Sequence, residues 1–123
     1  MKQKDKELLL KDLCGRLPYK VKIQRYNGEL LDDVIESIDN EEYTIINGDC
    51  YIEDIKPYLF PLSSMTEDQS NEIRSYNNSI EGKLVGMQGR SVYLIDWLNE
   101  HHFDYRGLIE KGLAIDATNL NIY

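Results

Sequence analysis

Apolar residues recur at helical spacing at the start of the chain and at alternate positions just after it. Leu9, Leu10, Leu13 and Leu17 stand three and four apart, Leu8 widens the stripe, and Lys6, Lys11 and Asp12 take the wet side. That spacing predicts a helix over 4–16 with one face to dock. Pro18 forbids its continuation past Leu17. From Tyr19 to Tyr26 the period becomes two: Tyr19, Val21 and Ile23 face one way, Lys20, Lys22 and Gln24 the other. This predicts a half-buried strand, and Asn27-Gly28 after it is a hairpin turn signal.

Residues 29–38 fit two patterns. Leu30, Leu31, Val34, Ile35 and Ile38 have helical spacing, but the flanking turns and the β-branched content favour a strand, bulged near Asp32-Asp33. Further short strands are expected at Glu42–Ile46 and from Cys50. Ile55–Leu62 carries two prolines, which predicts an edge strand, a turn or a closing segment. Four or five short strands at this spacing suggest a small, strongly bent antiparallel sheet or an SH3-like or Sm-like barrel.

Thr66 with Gln69 forms a capping box, and Glu67 and Asp68 suit a helix start, so a surface helix is expected over 66–76. Residues 77–90, with Gly82, Gly86 and Gly89, read as a loop. Ser91 reads as the cap of a helix over 92–102. Asp104 reads as the cap of a second, short helix over 105–111, with Gly112 just past its end. The fold class is therefore α+β. One domain spans 1–123: a helix over 1–17, a β region over 19–62, the surface helix, a helical pair over 91–112 and a tail over 116–123.

Charge sharpens this picture. The net charge is −8. Residues 1–28 hold eight Lys/Arg against three Asp/Glu, 29–55 hold ten Asp/Glu and no Lys/Arg, and 56–123 hold six against nine. The acidic block argues against broad phosphate binding and suits a basic partner or a solvated face. No apolar run approaches the ~20 residues of a membrane helix. Residues 1–7 open no signal peptide, so a cytoplasmic protein is expected. Cys14 and Cys50 lack metal spacing and read as small buried hydrophobes.

Candidate chemistry gathers after Trp97. His101, His102 and Asp104 are the residue types of a metal or acid–base site. Neighbouring helical residues point about 100° apart, however, so the two histidines cannot share one ion from one helix. No cofactor or metal is expected. Arg106 is placed to pair with Glu110 four residues on, or with a partner's anion. His101, His102, Asp104, Tyr105 and Arg106, with Tyr43 and Tyr51 from the tyrosine-rich strand region, are the interaction candidates. Lys20, Lys22, Arg25 and Tyr26 are those of a nucleic-acid alternative. No nucleophile elbow, P-loop, zinc-finger spacing or EF-hand loop is present.

Two strings carry a resemblance: Ile55-Lys56-Pro57-Tyr58-Leu59-Phe60-Pro61-Leu62-Ser63-Ser64-Met65-Thr66, and Trp97-Leu98-Asn99-Glu100-His101-His102-Phe103-Asp104-Tyr105-Arg106-Gly107-Leu108-Ile109-Glu110-Lys111-Gly112-Leu113-Ala114. They cover about a quarter of the chain and resemble a group of small proteins of gut Bacteroides-type bacteria and their phages or prophages. The group brings no activity and no site residue to transfer; it implies a mobile-element context. The expected function is a non-enzymatic protein–protein interaction module, an accessory or counter-defence factor. The expected partner is a protein, basic in character, or a second copy. The alternatives are an Sm/SH3-like nucleic-acid-associated barrel and a small metal-dependent or acid–base enzyme centred on the His pair.

Overall fold

Helix α1 (Gln3–Arg16) runs through the predicted region and gives way to a 3-10 turn over Leu17–Tyr19, where Pro18 breaks the α pattern. A computed structural model describes the backbone at 2–25, 30–34, 37–38, 43–45 and 49–123, and the side chains at 2–24 and 51–123. The Asn27-Gly28 turn, Tyr26, and the side chains of Arg25, Tyr43 and Cys50 lie outside the described residues. The buried face of α1 is Leu9, Asp12, Leu13 and Arg16. Asp12, expected on the wet side, is fully buried, because Arg16 one turn on pairs with it. Cys14 sits off that face and is exposed, against the expectation of burial.

The strands are β1 (Lys22–Arg25), β2 (Leu30–Val34), β3 (Ser37–Ile38), β4 (Tyr43–Ile45), β5 (Asp49–Tyr51) and β6 (Ile55–Pro61), with β7 (Phe103–Asp104) and β8 (Ile115–Asp116) far along the chain. Residues 30–34 are thus strand. The register shifts between Lys22↔Val34 and Gln24↔Leu30, which sets the irregularity of β2 around Asp32-Asp33. One sheet has the order β2-β1-β6-β7, with β8 also on β6; β3-β4-β5 form a second, antiparallel sheet. The first sheet is mixed, since β7 and β8 join β6 in parallel.

The two-proline stretch corrects the expectation of an edge: β6 is the strand on which β1, β7 and β8 all pair. The reason is parity. Phe60 N–H donates to His102 O, whereas Leu59 O accepts from Ala117 N–H. Successive residues of a strand turn their backbone groups to opposite edges. Pro57 and Pro61 have the parity of Leu59. Their missing N–H groups therefore fall on the edge where β8 pairs only with Tyr58 and Leu59.

Helix α2 (Glu67–Asn78) starts at the predicted capping box, with Thr66 and Gln69 exchanging side-chain bonds. The expected loop at 77–90 is helix instead: α3 spans Ile80–Glu100, capped by Ser79 Oγ on Gly82 N–H. Its glycines serve a corner and a kink. A Cβ on Gly82 would run into the Tyr76 carbonyl, so the corner between α2 and α3 needs glycine. Gly86, at φ 71° and ψ −170°, breaks the helical path within α3. Ser91, expected as a cap, lies inside the helix and donates to Met87 O.

No regular helix forms over 105–111; the segment is a series of turns. It nonetheless ends as a helix would. Gly112 N–H donates to Ile109 O and Leu113 N–H to Leu108 O, with Gly112 at φ 73° and Leu108 and Leu113 buried together.

Among the described residues, two apolar clusters result. Leu9, Leu13, Val21, Ile23, Ile55, Leu59 and Leu108 pack α1 on the sheet. Trp97, Leu98 and Phe103 gather Phe60, Met65, Ile73 and Tyr93 under the α2–α3 hairpin.

Candidate functional site

The His101–His102 turn forms where α3 ends. His102 adopts φ 64°, a left-handed conformation that stops the helix and turns Phe103 into β7. The two imidazoles then part. His101 stacks on the Trp97 indole at 4.0 Å, and its Nδ1 donates to Trp97 O at 2.9 Å, which places the hydrogen on Nδ1. His102 stacks on the Tyr123 ring at 3.7 Å. Its own Nδ1 is buried and has no hydrogen-bond partner. Burial, with the Arg16 guanidinium next and His101 and Lys22 adding, pushes His102 down to about 4. At neutral pH it is an uncharged imidazole.

Tyr123 holds this ring in place. Its hydroxyl accepts from Lys22 N–H at 2.7 Å and donates to Tyr58 O at 2.8 Å. In the β1–β6 register, Ile23↔Pro57 is followed by Lys22 opposite Tyr58. The phenol therefore stands where the next ladder bond would close. Burial pushes that phenol up, so it stays a donor. Lys22 Nζ donates to Ile122 O and lies over the Tyr123 ring at 5.8 Å.

His101 and His102 line one cleft of about 420 Å³ with Phe60, Thr66, Gln69 and Tyr123. Arg106 does not reach it. Arg106 Nε lies 3.3 Å from Asp12 Oδ1, so it pairs with α1 and not with Glu110 as expected. Asp12 also takes Arg16, at 2.7 Å from Nε and 3.2 Å from Nη2, and Arg16 Nη2 reaches Phe103 O at 2.6 Å. Both guanidiniums lie 5.2 Å from the Tyr105 ring centre, and the Tyr105 hydroxyl donates to Asn99 Oδ1. Asp104 is occupied by backbone: its carboxylate accepts from the N–H groups of Arg106, Leu108 and Ile109.

The sequence candidates thus separate. The histidines form a cleft wall, while Asp104, Tyr105 and Arg106 belong to a polar network that ties α1 to the 103–109 segment. Tyr51 is exposed on β5, opposite Tyr43 in the ladder. Lys20 is exposed at φ 55°. Sequence reading missed three features. The Asp12–Arg16 pair was signalled by its i, i+4 spacing on the apolar face. Tyr123 had no local signal. The third is the apolar exposure along α3, where Ile80, Leu84 and Met87 are about four-fifths exposed and Val92 60%. Its signal was the density of apolar residues between 80 and 95.

Among the described residues, no three His, Cys, Asp or Glu side chains cluster to hold a metal ion. Among them also, no helix is long and apolar enough to cross a membrane. The fold is that of an α+β protein with a leading helix, a small mixed sheet and trailing helices. No family model matches the chain, and neither a curated protein nor a solved structure matches it.

Proposed function

We propose that this chain is a non-enzymatic protein-interaction module acting in a bacterial cytoplasm, an accessory or counter-defence factor of a phage or mobile element. One observation carries the reading. Ile80, Leu84 and Met87, on either side of the Gly86 kink in α3, are 80%, 81% and 77% exposed, while Tyr93 farther along α3 stacks on Tyr76 of α2. Large apolar side chains left this exposed mark a surface that a partner covers. The mobile-element context rests on the resemblance of the Ile55–Thr66 and Trp97–Ala114 strings.

The nucleic-acid reading draws less support, because Lys22 is turned to the Ile122 carbonyl and the Tyr123 ring. The test is capture from a bacterial lysate on the immobilised chain, compared with Leu84→Glu/Met87→Glu. Specific capture by the wild type and loss in the variant are expected. Capture that ignores the variant, or none at all, counts against the reading.

A further inference from the structure

We propose that the cleft at the carboxyl end of α3 binds the guanidinium of an arginine presented by a basic protein partner. That the arginine belongs to a protein rests on the interaction reading above; the cleft is a separate site from Ile80, Leu84 and Met87. Phe60, His101, His102 and Tyr123 give it aromatic walls, and at about 420 Å³ it has the size of a small-ligand pocket. Several polar groups around it are already used: Ser64 Oγ donates to Pro61 O, and Thr66 with Gln69 closes the capping box. Glu100 and His101 are not. His101 carries its hydrogen on Nδ1, toward Trp97 O, so Nε2 of the uncharged ring is an acceptor. Glu100 lines the same cleft, and among the described residues no cation pairs with its carboxylate.

Charge selects a cation. Apart from the two histidines, Glu100 is the one ionisable acid or base among the described residues of the cleft whose charge is present at neutral pH, and His102 is held uncharged there. Arg16 and Lys22, whose charges reach His102, do not line the cleft, and Arg16 is paired with Asp12. A helix favours a cation at its carboxyl end, where its last carbonyls are unpaired. Helix α3 ends the opposite way, with no basic residue in its last turn and Glu100 as its final residue, four on from Asp96. Like charges at that spacing cost stability, and a cation brought from outside relieves them. The acidic block at 29–55 draws a basic partner toward the chain. The aromatic walls then decide between the two basic side chains. A guanidinium is planar and weakly hydrated, and can lie against rings while donating to two acceptors; an ammonium holds its water more tightly.

An amide-resolved NMR titration of the full chain tests this, using a blocked tripeptide with arginine between two glycines and its lysine and citrulline counterparts. The arginine peptide is expected to shift the amides of Gln69, His101 and His102 saturably, with a Kd on the order of 1 mM. The lysine peptide is expected to bind ~5-fold more weakly, and the citrulline peptide, uncharged but of the same shape, not to saturate. Glu100→Gln removes the charge at an exposed position and is expected to weaken arginine binding ~10-fold while the rest of the spectrum keeps its dispersion. Shifts that do not saturate below ~20 mM overturn the proposal, as do shifts confined to 29–55. So does binding of citrulline or lysine equal to that of arginine, or arginine binding indifferent to Glu100→Gln. If the arginine peptide fails while lysate capture still depends on Leu84 and Met87, only this cleft fails. If it binds while capture fails, the cleft stands and the α3 reading falls.

Discussion

Asp12 has no exposed surface and stands against two guanidiniums, Arg16 and Arg106. Removing one partner of a buried pair leaves the other charge without compensation, at a cost of about 3–5 kcal/mol. Asp12→Asn, which keeps the shape, is therefore expected to lower the urea midpoint sharply. A loss under about 1 kcal/mol would show that the network is solvated. His102 gives a second prediction at this scale. Its pKa of about 4 lies below that of an unfolded histidine. Between those values the unfolded chain holds the extra proton, so stability falls as pH is lowered from about 6.5 toward 4 and is unaffected above that window. His102→Asn tolerates the left-handed backbone and has no such titration. The wild type is expected to lose more stability than His102→Asn between pH 7 and 5, and equal losses in a pH series of thermal melts would contradict the burial of this ring.

At the scale of elements, two positions hold geometry that no neighbour in sequence explains. Gly86 bends α3 through a backbone conformation open almost only to glycine. Gly86→Ala is expected to cost about 1–3 kcal/mol, read by chemical denaturation. If it stabilises instead, α3 straightens freely and the kink carries no constraint. The Tyr123 hydroxyl replaces a ladder bond between β1 and β6. Tyr123→Phe leaves Lys22 N–H and Tyr58 O without it and should cost about 1 kcal/mol. Faster hydrogen exchange at the Lys22 amide is the local readout, and unchanged protection there would exclude the bridge. Caps and turns were legible at this scale: Thr66 with Gln69, Gly112, and the stop at Pro18 act through atoms within a few residues. The helix over 80–90 was not. Three glycines and a thin apolar pattern resemble a loop, and only contact with α2 shows that they serve a corner and a kink.

At the scale of the molecule, the mixed sheet is closed by segments from the far end of the chain, and the α3 face is left open. A partner that covers α3 stabilises the folded chain by mass action, so the melting temperature is expected to rise as that partner is added, and Leu84→Glu/Met87→Glu is expected to abolish the rise. A melting temperature indifferent to the partner would count against α3 as the binding surface.

The amino-acid pattern alone determined the α+β class, the first helix, the strand character and bulge of 30–34, the capping box of α2 and the glycine stop at 112. These depend on spacing, turn chemistry and caps, which act over a few residues. It also marked Trp97–Gly112 as dense in chemistry, but not how that chemistry is used. Tertiary structure decided that Asp12 is buried, that Arg106 turns to α1, that β6 bears three partner strands and that the two histidines face different rings. Each rests on contacts such as Arg16 with Phe103, 87 residues apart, or Lys22 with Tyr123, 101 apart. Side chains that far apart become neighbours only after the sheet has formed, so no local pattern carries their pairing.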